Sequence, residues 1–214
     1  QPDAAINWKS IKVPGNWEVQ GFGIPVYVNT DFEFATWKPQ PPCLPEDNPV
    51  GVYSRTFEVP QAWDGRQVYL NLAGAKSGVY VYVNGKEVGY SEDSKNTAEF
   101  KLNKYLKEGK NSLVLKIFRW STGAYLECQD FWRISGIERD VFLFSQPKTH
   151  IQDFQVVSTL DDTYKNGIFK LQTSLKSEGA QDNLSLSYEL IDKNGEVVSQ
   201  GTQKASDLNK IFEA

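Results

Sequence analysis

Glu127 and Asp130 lie three residues apart inside RWSTGAYLECQDFWRISGIERDV (Arg119–Val141), and they are the carboxylates best placed for acid–base work. Retaining cleavage of a glycoside needs two such groups roughly 5 Å apart across the scissile bond. Acids beside arginines are more often ion-paired or solvated, so the pair alone is a weak catalytic signal. The same segment crowds Trp120, Tyr125, Phe131 and Trp132 together with Arg119, Arg133 and Arg139. Flat rings cover the apolar C–H faces of a sugar, while carboxylates and guanidinium groups hydrogen-bond its hydroxyls. The mixture therefore suits a concave site for a polyhydroxylated ligand. It equally suits a buried aromatic cluster with arginines paired to acids at its rim.

Other chemistries find little support. A Ser-His-Asp triad would have to use His150, the single histidine, and no GxSxG elbow accompanies it. His150 lies in KTHIQDF, at an apparent domain junction, and reads as structural. Gly21 and Gly23 in QGFGIP are not followed by a helical pattern, so no phosphate loop is predicted. Cys43 and Cys128 are far apart, match no metal spacing and are expected to be unpaired thiols. Residue chemistry alone thus predicts binding and no obvious catalysis.

The elements that must hold these side chains are read from pattern. In Gly51–Val59, Tyr53, Arg55 and Phe57 share one face against Val52, Ser54 and Thr56. Gln67–Leu72 places Val68, Leu70 and Leu72 on one side, and Val79, Val81 and Val83 share a face before Asn84-Gly85. That dipeptide is the strongest short hairpin signal and favours a type I′ turn, so Lys86–Tyr90 is predicted to return antiparallel. Phe100–Leu106 reads as a strand end with a short helical turn. Leu113, Leu115 and Ile117 alternate in Ser112–Trp120, and Glu138–Ser145 forms another strand. The proline-dense Pro39–Pro49 lacks amide donors and is expected to be an extended surface loop.

Pro147 marks a boundary. Beyond it come Ile151–Thr159, Gly167–Leu175, Leu184–Ile191 and Glu196–Gln203, with a second hairpin turn at Lys193-Asn194-Gly195. Long 3.6-period segments are missing and short strands with Gly and Asn turns abound, so the fold is all-β. We expect a jelly-roll sandwich over residues 1–146 and an immunoglobulin-like β-sandwich over residues 147–214. About four strands fit in the second, against the usual seven or so, so it is expected to be partial.

The chain has 214 residues, six tryptophans, 13% aromatic residues and a net charge of −4, enough for one large or two smaller domains. The mixed charge lacks the basic stripe of a nucleic-acid binder, and no run is long enough to span a bilayer. No basic stretch precedes an apolar one, so no signal peptide is expected. The chain opens at Gln1 and holds no methionine, which suggests processing, excision or incompleteness. A soluble protein is expected, with cytoplasm and periplasm both open.

Four ordered blocks carry a family resemblance: VPGNWEVQGFGIPVYVN (Val13–Asn29), DNPVGVYSRTFEVP (Asp47–Pro60), VYVNGKEVGYSEDSKNTAEFKL (Val81–Leu102) and RWSTGAYLECQDFWRISGIERDVFL (Arg119–Leu143). They resemble the amino-terminal part of the β-galactosidases of glycoside hydrolase family two, and the resemblance weakens after about Val157. It implies a galactose-binding-like jelly roll that is not itself catalytic, followed by the start of an immunoglobulin-like domain. It implies that Asn29 hydrogen-bonds the galactosyl unit and that Asp130 contacts the sugar and helps ligate a sodium ion. The family's acid/base and nucleophile glutamates and its magnesium ligands belong to a downstream TIM barrel. The expected partners are therefore a β-galactoside, that barrel and, in some relatives, further copies of the chain, with no nucleic acid and no membrane. By the same resemblance an earlier strand precedes Gln1, so the jelly roll is expected to want an edge strand.

Several neighbours have less definite roles. Trp132, Trp120 and Tyr125 either stack on sugar or pack beneath the loop. Arg133, Arg139 and Asp140 are expected to form ion pairs at the loop's entry and exit, and Asn16 and Trp17 to anchor the first loop. Two other function classes fit the residues: a free-standing carbohydrate-binding module, or a structural and oligomerisation domain.

Overall fold

The structure is a computed structural model that describes residues 7–29, 32, 34, 40–178, 184–204 and 212–213. It is all-β and divides into two units, Gln1–Ser145 and Gln146–Ala214. The first begins with β1 (Gly15–Asn16), β2 (Val26–Val28), β3 (Val50–Glu58), β4 (Gln67–Leu72) and β5 (Ala75–Lys76). It continues with β6 (Gly78–Val83), β7 (Lys86–Ser91), β8 (Ala98–Lys101) and β9 (Lys110–Phe118). Then come β10 (Phe131–Arg133), β11 (Gly136–Ile137) and β12 (Val141–Gln146).

A four-stranded sheet, β3-β9-β6-β7, faces a three-stranded sheet, β12-β4-β8, in a jelly-roll sandwich. Strand alternation builds its core. Val79, Val81 and Val83 from β6 and Leu115 and Ile117 from β9 are at most 3% exposed, as are Leu70 and Leu72 from β4. Tyr53 and Phe57 pack against them from β3. All six residues of β4 are buried, because Tyr69 on the far face stacks on Phe144 with ring centroids 5.2 Å apart.

The Asn84-Gly85 turn has φ of 52° and 79°, the left-handed pair that a type I′ hairpin requires. Asn84 also accepts the Ser112 amide at 3.0 Å and donates to Asn111 Oδ1 at 2.7 Å, tying the turn to β9. A short 3-10 turn, Asn103–Tyr105, follows β8 as the pattern predicts.

The second unit contains β13 (Thr149–Leu160), β14 (Gly167–Ser177), β15 (Ser185–Ile191), β16 (Val197–Lys204) and β17 (Phe212–Glu213). One sheet runs β13-β14-β17 and the other pairs β15 with β16. Phe169 and Tyr188 bring the two sheets together with ring centroids 6.2 Å apart. Among the described residues of this unit, the buried side chains are Thr173 and Leu186. His150 contacts the Pro147 carbonyl through Nδ1 at 2.7 Å and the Gln152 side chain through Nε2 at 3.3 Å, in keeping with a structural role. Among the described residues no helix is long and apolar enough to cross a membrane.

Candidate functional site

Two three-residue strands far apart in sequence, β2 and β10, pair antiparallel with Val26 opposite Arg133, Tyr27 opposite Trp132 and Val28 opposite Phe131. Asn29 directly follows β2, and Asp130 directly precedes β10 in a turn closed by the Phe131 amide on the Gln129 carbonyl at 3.0 Å. Side chains on a strand alternate with period two, so Tyr27 and Trp132 project to one face and Arg133 to the other. Exposure follows that alternation. Tyr27 is 53% and Trp132 55% exposed, Asn29 and Asp130 are exposed, and Arg133 on the reverse face is 2% exposed. Both residues singled out as sugar contacts are thus exposed at the same end of the ladder.

Tyr27 Oη donates a 2.8 Å hydrogen bond to Asp130 Oδ1. The hydrogen bond to the carboxylate, then its charge, raises the Tyr27 phenol above its ordinary pKa. The Tyr27 and Trp132 rings lie 5.7 Å apart at 57°, a tilted aromatic pair. Among the described residues Asp130 Oδ2 and the Asn29 amide make no hydrogen bond. Each is a polar group that a ligand can take up.

The reverse face explains why so short a ladder holds. Arg119, 8% exposed, donates from Nη2 to the carbonyls of Ile24 at 3.2 Å and Arg133 at 3.3 Å, pinning the loop before β2 to the end of β10. Its Nη1 lies 3.9 Å from Glu18 Oε1, and Glu18 Oε2 accepts the Ser135 amide at 2.8 Å. Trp17, 7% exposed, sits in the sandwich core, and Asn16 Nδ2 donates to Glu138 Oε1 at 3.3 Å. Asn16 and Trp17 therefore anchor the first loop as expected.

The aromatic segment separates into two groups. Trp120 and Tyr125 pack on Phe34, with ring centroids 5.6 and 5.2 Å away, so these two serve the fold. Asn48 clasps the Trp120 backbone in both directions, donating at 2.8 Å and accepting at 3.0 Å, and Tyr125 Oη donates to the Cys43 carbonyl. The described part of the proline-rich segment, residues 40–49, thus runs over the surface and staples this cluster. Trp132 alone of the three stands open.

Arg133 and Arg139 both bond backbone carbonyls. Arg133 Nη1 donates to Glu127 O at 3.3 Å and Arg139 Nη1 to Lys95 O at 2.9 Å, while the carbonyl of Asp140 accepts the Ala73 amide at 3.1 Å. A guanidinium with five donors closes loops in this way better than one ion pair would. Nor do Glu127 and Asp130 form a catalytic couple. Glu127 turns inward to bond the buried Ser94 through both its amide and hydroxyl, whereas Asp130 faces out. Cys43 and Cys128 are free thiols.

Glu92 is a second fixed carboxylate beneath the loop. Burial pushes its pKa up, but bonds from the Thr122 hydroxyl, the Gly123 amide and Tyr90 outweigh it and hold the group below the usual carboxylate range. Behind β10 an open cleft of about 520 Å³ is lined by Lys76, Asp93, Lys95, Glu127, Gln129 and Phe131.

Hard cations surround themselves with several oxygens. Among the described residues no three acidic, histidine or cysteine side chains gather as a metal cluster. Asp130 Oδ2 fits a sodium ion only as one ligand of a shell completed elsewhere. Tyr27 was not among the residues singled out from sequence. The period-two spacing Tyr27–Asn29 was the available signal, but its partner strand lies a hundred residues away.

Residues 3–147 match the sugar-binding domain of glycosyl hydrolases family 2. A β-galactosidase of Priestia megaterium is 42% identical over 197 residues, covering 90% of this chain and 19% of the relative. One from Halalkalibacterium halodurans is 41% identical over 202 residues, covering 93% and 20%. The chain therefore spans about a fifth of the length of these curated relatives. A solved β-glycosidase from Bacteroides vulgatus shares the fold, with TM-score 0.66 and 20% identity over 96% of this chain and 24% of that one. With a family match over most of its length and an open polar face on the matched unit, the chain belongs to the family 2 glycosyl hydrolases and carries their sugar-binding domain.

Proposed function

We propose that this chain is the non-catalytic, amino-terminal part of a β-galactosidase, which hydrolyses terminal non-reducing β-D-galactose residues with retention. Its role is to position the sugar for a TIM barrel supplied by the same polypeptide. The observation that carries the reading is the exposure of Asn29 and Asp130 at the same end of the β2–β10 ladder, with Asp130 Oδ1 held by Tyr27. An amide and a carboxylate at one end of the ladder offer donors and acceptors to the hydroxyls of a hexose. Holding the sugar in register directs its binding energy to the reacting centre.

Asp130 Oδ2 contributes one oxygen to a sodium ion bound next to the sugar, an acceptor of the hard, charged type such an ion prefers. Magnesium is assigned to no residue of this chain. Glycosidic cleavage needs two facing carboxyl groups, and Glu127 is committed to Ser94. The chain by itself is therefore expected to be inactive.

The test is kinetic. In the polypeptide carrying this chain, Asp130→Asn is expected to lower kcat/KM for a chromogenic β-galactoside by about 100-fold, the scale of a lost charged contact to a bound ligand. Unchanged kinetics would remove Asp130 from the site. Turnover by the chain alone would overturn the positioning role. Tight galactoside binding by the chain alone, measured by calorimetry, would instead make it a free-standing binding module.

A further inference from the structure

We infer that Tyr27 is a positioning residue for sugar binding, its hydroxyl holding Asp130 Oδ1 and its ring braced by Trp132, so that Oδ2 is presented to the sugar. The inference rests on the proposed role of Asp130 and adds to it the device that aims the carboxylate.

The geometry comes from the ladder. Tyr27 and Trp132 are directly opposed, and Asp130 lies two residues before Trp132, in the turn that leads into β10. Asp130 thus lies along the diagonal from Tyr27, a direction in which a long aromatic side chain can reach past its directly opposed partner. The observed 2.8 Å bond spans that diagonal. The tilted contact with the Trp132 ring limits the rotation of the Tyr27 ring, so the hydroxyl is delivered to one place.

The chemistry of the donor matters as much. A carboxylate on an open loop beside β10 has two free torsions, and each ligand contact would have to pay for stopping them. A lysine or arginine would stop them but neutralise the charge. A phenol is a neutral donor with one proton. It occupies one oxygen, leaves the full negative charge, and leaves the second oxygen to accept sugar hydroxyls or face a cation. A purely structural contact has no need of this place, because Tyr27 and Trp132 are more than half exposed and bury little apolar area.

Tyr27→Phe keeps the ring and its contact with Trp132 and removes the donor. The intact polypeptide carrying this chain is assayed with o-nitrophenyl β-D-galactoside, alone and in an Asp130→Ala background. Tyr27→Phe is expected to raise KM about tenfold with kcat within about threefold, the scale of one hydrogen bond to a charged group. In the Asp130→Ala background the same change is expected to shift kcat/KM less than about twofold, because Tyr27 acts through Asp130. A structural role would give equal effects in both backgrounds and overturn the inference. So would an unchanged KM for Tyr27→Phe while Asp130→Ala is severely impaired, which would leave the role of Asp130 standing. If Asp130→Ala itself changes nothing, the proposed site fails and the inference with it. Trp132→Ala, which unbraces the ring but keeps the hydroxyl, is expected to raise KM in the same direction by a smaller factor, and no change would remove Trp132 from the device.

Discussion

The Trp17 ring lies directly over Gly51. A Cβ built on Gly51 would come within 2.2 Å of Trp17 Cζ3 and 2.4 Å of Cε3, so only glycine lets the first loop dock on β3. Gly51→Ala is expected to displace Trp17 from the core and to cost about 1–3 kcal/mol, the usual range for overpacking a filled interior. Urea unfolding of the chain checks it. A midpoint equal to that of the parent would mean that the ring moves aside freely.

Arg119 and Glu18 form a buried ion pair beneath the β2–β10 ladder. Removing one partner strands the other in a low-dielectric interior, which typically costs about 3–5 kcal/mol. Arg119→Ala also releases the carbonyls of Ile24 and Arg133. We expect lost stability together with faster amide exchange in 24–28 and 131–135. Lost stability with unchanged exchange there would separate the pair from the ladder.

Tyr53 is a buried phenol whose Oη has no hydrogen-bond partner among the described residues. Burial, then the nearby Glu18 carboxylate, pushes its pKa up to about 12. The folded value lies above the unfolded one near 10, so the neutral phenol is favoured by folding. Its contribution is complete below pH 10 and is lost as the pH rises from 10 towards 12. Tyr53→Phe is expected to leave stability at neutral pH within about 1 kcal/mol of the parent, because no bond is broken. The variant should resist unfolding between pH 10 and 12 better than the parent, read by circular dichroism. Identical alkaline transitions would contradict the assignment.

In the second unit Asp161 caps its own turn. Bonds from the Thr163 hydroxyl, the Asn166 amide and the Lys165 backbone lower its pKa to about 2. The folded value lies below the unfolded one near 3.9, so the contribution is present above pH 4 and is lost as the pH falls towards 2. Asp161→Ala is expected to flatten the pH dependence of amide exchange in residues 161–167 over that window. A turn that exchanges alike in both proteins from pH 4 to pH 2 would show that Asp161 does not hold it.

Much of the architecture was legible because it is local. Val79, Val81 and Val83 alternate at the spacing of a half-buried strand, and Asn84-Gly85 specifies its own turn through two positive φ angles. The turn at Lys193-Asn194-Gly195 is local too, with Gly195 at a φ of 90° and Asp192 accepting the amides of Asn194 and Glu196. Trp120 and Trp132, by contrast, sit twelve residues apart in one aromatic segment, and nothing in their types separates them. One packs on Phe34 and the other stands in solvent.

The amino-acid sequence by itself determined the strands, their inward faces, the hairpin turns and the family to which the four blocks point. These depend on period-two burial and on backbone preferences of single residues, which are written within a few positions of each other. Only the tertiary structure decided that Tyr27 meets Asp130, that Glu127 turns away to Ser94, and that Arg133 and Arg139 serve carbonyls. The first depends on the register between segments 103 residues apart, and the others on how the loops around it close. Register is set by the whole core closing at once, because a slip of one residue would turn every side chain of β2 to the opposite face.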